Sequence, residues 1–388
     1  MDFRFSDRLK RLPPYLFVEI DKAKRKAISE GRDIIDLGIG DPDEASPKEV
    51  IDELCRALQD SKNHHYPLDQ GIPDLRIRIA KWYKDRFGVT LDPDKEILVL
   101  IGSKEGIAHM PLAFVNPKDV SLVPDPCYPP YKGGTILSGG IVHTMPLLEE
   151  NNFLPDLNKI KKDVLKKSKL LYINYPNNPT AAVCEKGFFE DVVLFAKKHN
   201  IIIAHDAAYS EIAYDGYRPE SFLKVAGAKE VGVEFHSLSK TCNMTGWRVG
   251  FVCGNEKIVS GIAKAKSNID SGAFNALQVA GMKALDIAER HTQKMNDLYQ
   301  ERRDALVDGL NSIGWAVPKP KATFYVWTRI PKSYKSSIEF AGEVLKKSDM
   351  VITPGIGLGE SGEGYVRMAL TVPKERMQEA VKRLGKIL

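Results

Sequence analysis

No apolar stretch in this sequence approaches the roughly 20 residues that a membrane-spanning helix needs. The opening residues, Met1-Asp2-Phe3-Arg4-Phe5-Ser6-Asp7-Arg8, lack the apolar core and small-residue cleavage site of a secretory signal. Both absences lead to the expectation of a cytoplasmic protein with no membrane partner. Cysteine is scarce. The five residues Cys55, Cys127, Cys184, Cys242 and Cys253 are scattered through 388 positions and form no C-x-x-C pair. That argues against a disulfide framework and a structural zinc site, so no metal is expected. An excess of one charge is also missing: 56 basic and 51 acidic side chains leave a net +5. Such a small surplus gives no footprint for nucleic acid. The densest basic run, Lys159 to Lys169, includes Asp163 and Leu165 at helical spacing and reads as a solvated helix face. Internal repeats and low-complexity segments are absent. So is the glycine fingerprint of a nucleotide-dependent dehydrogenase. Gly355-x-Gly357-x-Gly359 has the wrong spacing, opens no evident helix and reads as a flexible loop.

What is present is an ordinary globular mix, 43% apolar and 28% charged. The length suggests two or three folding units. Residues 15–30 read as an amphipathic helix ended by Gly31, and 33–40 as a strand and turn. Ser46-Pro47-Lys48-Glu49 supplies an N-cap serine, a proline at the first helical position and a glutamate at capping-box spacing. Short apolar runs then alternate with helical patterns: 96–102, 120–126, 170–176, 201–209 and 231–239. Continuous apolar strands separated by helices predict an α/β fold, its mainly parallel sheet sandwiched by helices. The texture changes near residue 285. A charged helix over 289–312 leads to a strand pattern at 323–330, a helix at 337–348, strands at 350–354 and 365–371, and a last helix from 374. The expected division is an N-terminal arm and part of a small domain (1–45), a large domain (46–285) and a small C-terminal α/β domain (286–388). The N-terminal segment is expected to pack on the latter, because one strand cannot bury both faces alone.

Ligand groups in such sheets collect beyond the strand C-termini, and the suggestive residues fall there. Ser237-Leu238-Ser239-Lys240 ends one apolar strand, with Arg248 eight residues on. Two hydroxyls and a guanidinium suit a phosphate. A lone lysine at a strand end also reads as simply solvated. His205-Asp206-Ala207-Ala208-Tyr209 ends another strand. A carboxylate in so apolar a run needs a charged partner; a protonated pyridine nitrogen is one, and a helix cap is the plainer alternative. Asn178, in Asn174 to Thr180, sits in a turn from which an amide reaches a ring oxygen, as does Tyr209 from the next strand. Gly102-Ser103-Lys104-Glu105-Gly106 passes from strand to helix, where free amides suit a phosphate.

In combination these residues resemble the class I/II, fold-type I aminotransferases, over essentially the whole chain. The resemblance implies pyridoxal 5'-phosphate (PLP) as cofactor, held covalently by Lys240, with Asp206 facing its ring nitrogen. Asn178 and Tyr209 then contact the ring oxygen. Ser103, Lys104 (through its backbone), Ser237, Ser239 and Arg248 contact the phosphate. Tyr128, in Asp125-Pro126-Cys127-Tyr128, stacks on the ring, and Tyr66, before Gln70-Gly71, reaches the phosphate of a partner subunit in a homodimer. Lys240, Asp206 and Tyr209 form the implied catalytic set. Arg367 clamps the substrate α-carboxylate, and Tyr15, Gly40, Lys104, Tyr128 and Asn178 line the substrate site. Asp69 is expected near the distal ammonium of a longer substrate. One departure is Ala181, where the family has glycine after Asn-Pro-Thr. Blocks such as 37–43, 100–109, 205–218 and 266–274 are similar to the branch of the family acting on 2,6-diaminopimelate with 2-oxoglutarate. Other readings are an aspartate, alanine or aromatic aminotransferase, a C–S lyase of the same fold, or a non-catalytic PLP-binding module.

Overall fold

The computed structural model describes residues 3–13, 16–67 and 70–388. Its strands in chain order are β1 (Ile35–Asp36), β2 (Ile97–Leu100), β3 (Val120–Asp125), β4 (Ile141–Pro146), β5 (Ser168–Ile173), β6 (Ile202–Asp206), β7 (Gly232–Ser237), β8 (Gly250–Gly254), β9 (Tyr325–Arg329), β10 (Met350–Val351), β11 (Thr353–Pro354) and β12 (Tyr365–Ala369). Seven form one sheet in the order β2-β8-β7-β6-β5-β3-β4. All pairings are parallel except those of β8, which runs antiparallel to both neighbours.

Alternate residues of each strand enter opposite cores, as the pleat requires. Ile97 and Val99 join one apolar cluster, Leu98 and Leu100 the other. The first cluster packs under the helices Pro73–Phe87, Lys186–His199 and the early part of Asn275–Ser312. The second packs under Ser103–Phe114, Pro130–Leu137 and Glu256–Lys266. Burial on both faces explains why these strands are apolar without interruption. Helix ends follow local chemistry. Pro73 opens one helix, and Gly88 ends it in the left-handed region at φ 74°.

The remaining strands build two small sheets, β11-β12-β9 and the parallel pair β1-β10. Ile35 lies opposite Met350, so the early strand finds its partner more than 300 residues away. Their core gathers Leu37, Trp315, Phe324, Val326, Phe340 and Val366.

Several local expectations change. The long helix begins at Asn275 and runs unbroken to Ser312. Its early residues Ala276, Ala280, Gly281 and Ala284 are small and buried, which hid the helix behind the charged stretch that follows. Ser46 is not a cap. The helix Lys48–Ala57 has Pro47 at its N-cap, and the Ser46 hydroxyl donates to Asn243 O at 2.8 Å. The basic run is not one helix face: residues Lys162–Leu165 form a single turn before β5. The 355–359 glycines lie in two tight turns, tied down by Cys127 N to Leu358 O (2.9 Å) and Ser361 N to Asp125 Oδ2 (2.7 Å). Among the described residues no helix is long and apolar enough to cross a membrane, and no acidic, histidine and cysteine cluster is arranged to hold a metal.

Candidate active site

The C-terminal ends of β2, β3, β5, β6 and β7 lie along one edge of the large sheet, and antiparallel β8 starts there. That geometry brings Ser103, Asn178, Asp206, Lys240 and Arg248 to one rim. Arg248 reaches it because it precedes β8.

Lys240 lies on the single turn Leu238–Thr241, whose first residue follows the capping Ser237: Ser237 Oγ accepts from Ser239 N at 3.2 Å. The Lys240 ammonium donates to Gly40 O at 2.7 Å and stands 5.2 Å from the Phe324 ring centre. Burial pushes it down to about 8 from an ordinary 10.5. Asp41 opposes that shift, while the positive charges of Arg367 and Arg248 add to it.

The shift carries a stability consequence. Below pH 8 the folded, cofactor-free chain holds a partly buried ammonium that the unfolded chain hydrates fully. Between about 8 and 10.5 the unfolded chain keeps the proton that the folded chain has lost, so stability rises with pH. A depression of this size corresponds to roughly 3 kcal/mol. Lys240→Met removes the penalty. The difference in urea unfolding free energy between variant and wild type, both cofactor-free, is expected to shift by roughly 3 kcal/mol in favour of wild type as pH rises through this window. A difference independent of pH would contradict a destabilised ammonium.

Asp206 is buried at the end of β6. Tyr131 OH donates to its Oδ2 at 2.7 Å and Ala208 N to its Oδ1 at 3.3 Å. Burial raises its pKa, with the Tyr131 and Ala208 hydrogen bonds and the nearby His205 and His236 pulling the other way. The carboxylate thus has hydrogen bonds but incomplete charge compensation, an environment suited to a cation. Asn174 braces the neighbouring loop: its Nδ2 donates to Asp206 O at 2.6 Å, and its Oδ1 accepts from Asn178 N at 2.8 Å. Asn178 Nδ2 lies 3.4 Å from Tyr209 OH. Ala181, in the glycine position of the family pattern, has φ 57°. The turn keeps its left-handed residue, and the extra methyl is buried within the smaller core.

Arg367 is buried on β12. Its Nη1 donates to Asn178 Oδ1 at 2.8 Å and its Nη2 to Gly38 O at 2.9 Å. Its Nε, also buried, has no hydrogen-bond partner. The guanidinium carbon sits 4.3 Å from the Tyr325 ring centre, and Tyr325 OH lies 3.1 Å from Tyr209 OH. Gly40 has to be glycine here, because a Cβ would stand 1.9 Å from Tyr325 OH. Arg248, at φ 57°, spans the far side, with Nη1 3.5 Å from Ser239 Oγ and 2.7 Å from Thr245 O. Ser103 and Lys104 open the helix Ser103–Phe114, where first-turn amides face outward. Tyr128 packs edge-on against Tyr131.

Tyr66 stands apart, 88% exposed on the surface. Tyr15 and Asp69 lie outside the described residues. Tyr131, Tyr325 and Asn174 join the site although the sequence pattern assigned them no role. Tyr325 falls in an aromatic run, Phe324-Tyr325-Val326-Trp327, whose alternation alone could have flagged it. Tyr131 pairs across from a helix, for which sequence carries no signal. Volume is a poor guide here. A wide groove of about 1840 Å³ runs between residues 149–169, 180–200 and 318–327, and is lined by none of Lys240, Asp206, Arg248 or Arg367.

Residues 32–384 match the family model for aminotransferase class I and II. The chain belongs to this family, and it is an enzyme that uses PLP. The site fits that group: Asp206 offers an under-compensated buried carboxylate and Lys240 an amine with a lowered pKa. More particularly, the chain is 53% identical to the LL-diaminopimelate aminotransferase of Halothermothrix orenii, over 98% of this chain and 97% of that one. The enzyme of that name from Syntrophobacter fumaroxidans is 53% identical over 100% of both chains. Among solved structures, substrate-bound BacF from Bacillus subtilis superposes with a TM-score of 0.96 at 39% identity, covering 100% of this chain and 98% of the other. A Thermus thermophilus aspartate aminotransferase mutant gives 0.93 at 26% identity, covering 100% of both.

Proposed function

We propose that the protein transfers an amino group from LL-2,6-diaminopimelate to 2-oxoglutarate, giving tetrahydrodipicolinate and glutamate in lysine biosynthesis. The observation that carries this reading is a convergence. Lys240 Nζ and the Arg367 guanidinium bond to carbonyls only two residues apart, Gly40 and Gly38. A base and an α-carboxylate clamp are thereby set on one amino acid. The names borne by relatives at about half identity support the diaminopimelate assignment.

When bound, PLP supplies an electron sink for the charge left on the substrate α-carbon. Lys240 would hold the cofactor and would serve as the base that moves the substrate α-proton; the burial that lowers its pKa in the free protein favours that role. Asp206 would pair with the ring nitrogen, with Tyr131 and Asn174 fixing its place. Asn178 and Tyr209 would donate to the ring oxygen, and Tyr128 would cover the ring face. Ser103, Lys104 N, Ser237, Ser239 and Arg248 would bind the phosphate. Arg367 takes the α-carboxylate on its free Nε side, with Gly40 and Lys104 along the substrate path. The distal amino-carboxylate needs polar partners of its own.

The protein is proposed to work as a homodimer. Tyr66 would then reach a second copy's site, and the exposed Ile77, Ile269 and Phe274 would be covered. The large unit would be residues 46–285 and the small one 1–45 with 286–388, bridged by the long helix. All five cysteines are free thiols, which fits a cytoplasmic location.

A panel of amino donors with 2-oxoglutarate tests the specificity. LL-diaminopimelate is expected to exceed aspartate, alanine and phenylalanine in kcat/KM by at least about 100-fold, because a site built for a second charged end penalises substrates without it. A panel led by one of those three, or release of a thiol from a β-thio amino acid, would overturn it.

A further inference from the structure

Lys266 ends the helix Glu256–Lys266 and is wholly buried. A bare ammonium could not persist there. Its Nζ donates to Glu105 Oε2 at 3.0 Å and to Asp270 Oδ1 at 2.5 Å. Each acceptor has a second task. Glu105 Oε2 also accepts from Ile101 N at 2.8 Å, which closes the strand-to-helix turn from inside. Asp270 Oδ1 also accepts from Gly272 N at 2.7 Å, which folds back the segment leading to the long helix. Just beyond, Asn275 Nδ2 donates to His65 O at 3.3 Å, beside Tyr66. The other carboxylate oxygen, Glu105 Oε1, is buried without a hydrogen bond, 3.6 Å from His109 Nδ1. Lys266 is therefore the lysine that balances Glu105.

The same turn is held from its other side. Gly102, at φ 76°, lies against Arg248: a Cβ there would stand 2.2 Å from Nη2. The backbone of 102–105 is thus clamped between Arg248 and the buried Lys266 pair.

We propose that Lys266 is a positioning residue for the phosphate turn. Through Glu105 it sets the direction of the first-turn amides, and through Asp270 it couples them to the 267–274 segment and so to the neighbourhood of Tyr66. A buried ion pair is a weak source of stability compared with apolar packing, and its best-supported use is to specify one arrangement. Here the arrangement specified is that of amides whose hydrogen bonds to an anion weaken steeply with misalignment. The proposal rests on the reading of this turn as the phosphate site.

The test compares equilibrium binding of PLP with that of pyridoxal, which lacks the phosphate, to the cofactor-free protein, followed by absorbance. Lys266→Met strands two carboxylates and endangers folding. A second variant, Lys266→Met with Glu105→Gln and Asp270→Asn, removes all three charges at similar volume. Thermal unfolding reports whether each is folded. In the folded variants the PLP dissociation constant is expected to rise by at least about tenfold, as for other groups that orient a ligand-binding group. Pyridoxal binding is expected to stay within about twofold of wild type, because Lys240 and Asp206 are untouched. Equal weakening of both, the signature of a merely structural role, would overturn the proposal, as would no weakening of either. Ser103→Ala is the control for the underlying reading. If it leaves the preference for PLP over pyridoxal at the wild-type value, the turn is not the phosphate site and both ideas fall. If it lowers that preference and the Lys266 variants do not, only the Lys266 proposal falls.

Discussion

Lys240→Ala is expected to lower kcat with any amino donor by at least about 10⁴-fold, since one side chain is asked both to hold the cofactor and to move the proton. The structure allows the loss to be assigned to chemistry. Lys240 makes a hydrogen bond to Gly40 O and a contact with Phe324, but the turn that carries it is held by other atoms. Ser237 caps it, and Cys242 N returns to Leu238 O at 3.0 Å. Removing a partly buried ammonium with a lowered pKa relieves a desolvation cost that offsets part of the packing lost by truncation. The variant should therefore remain folded while being inactive. Steady-state kinetics beside thermal unfolding check both halves. Residual activity within about 100-fold of wild type would show that the proton is carried elsewhere.

Asp206→Asn is expected to cost about 10²–10³-fold in kcat, the range seen when one preorganised electrostatic group is lost. Asparagine keeps an oxygen that can accept from Tyr131 OH, so the packing survives. What disappears is the negative charge. Burial already works against that charge, and Tyr131, Ala208 N and the two histidines only partly restore it. A cationic ring nitrogen would complete the balance, and without the carboxylate a bound ring would hold its proton less firmly and accept charge less readily. KM should change much less than kcat, because the proposed clamp for the substrate carboxylate, Arg367, lies on a different strand. A loss below about tenfold would mean that the carboxylate serves the fold rather than the reaction.

The legibility of this protein in its sequence varied with the environment of each element. Strands β3, β5, β6 and β7 are buried on both faces and announce themselves as apolar runs. β4 lies at the sheet edge, with most of its residues at least partly exposed, and carries no such signal. β8, bounded by Gly250 and Gly254, was assigned no element from the sequence. Lys240, Asp206, Asn178 and Arg248 could be proposed from sequence because ligand groups gather where such strands end, and the fold does bring these four to one rim. Arg367 was reached only through resemblance, since an arginine inside an apolar strand names no partner by itself. Tyr131, Tyr325 and Asn174 were not assigned because their roles depend on contacts between separate elements, 75, 116 and 32 residues apart in sequence. Ser46 misled for a related reason: its hydroxyl is taken by Asn243, nearly 200 residues away, before it can cap its own helix.

The central claim is that Lys240 is the residue that carries the cofactor. Borohydride reduction of the protein loaded with PLP, followed by proteolysis and mass mapping of the modified peptide, tests it most directly. Stoichiometric label is expected on Lys240 and none on Lys104 or Lys266. A label confined to another lysine, or a Lys240→Ala protein that still forms the reducible adduct in full, would contradict it.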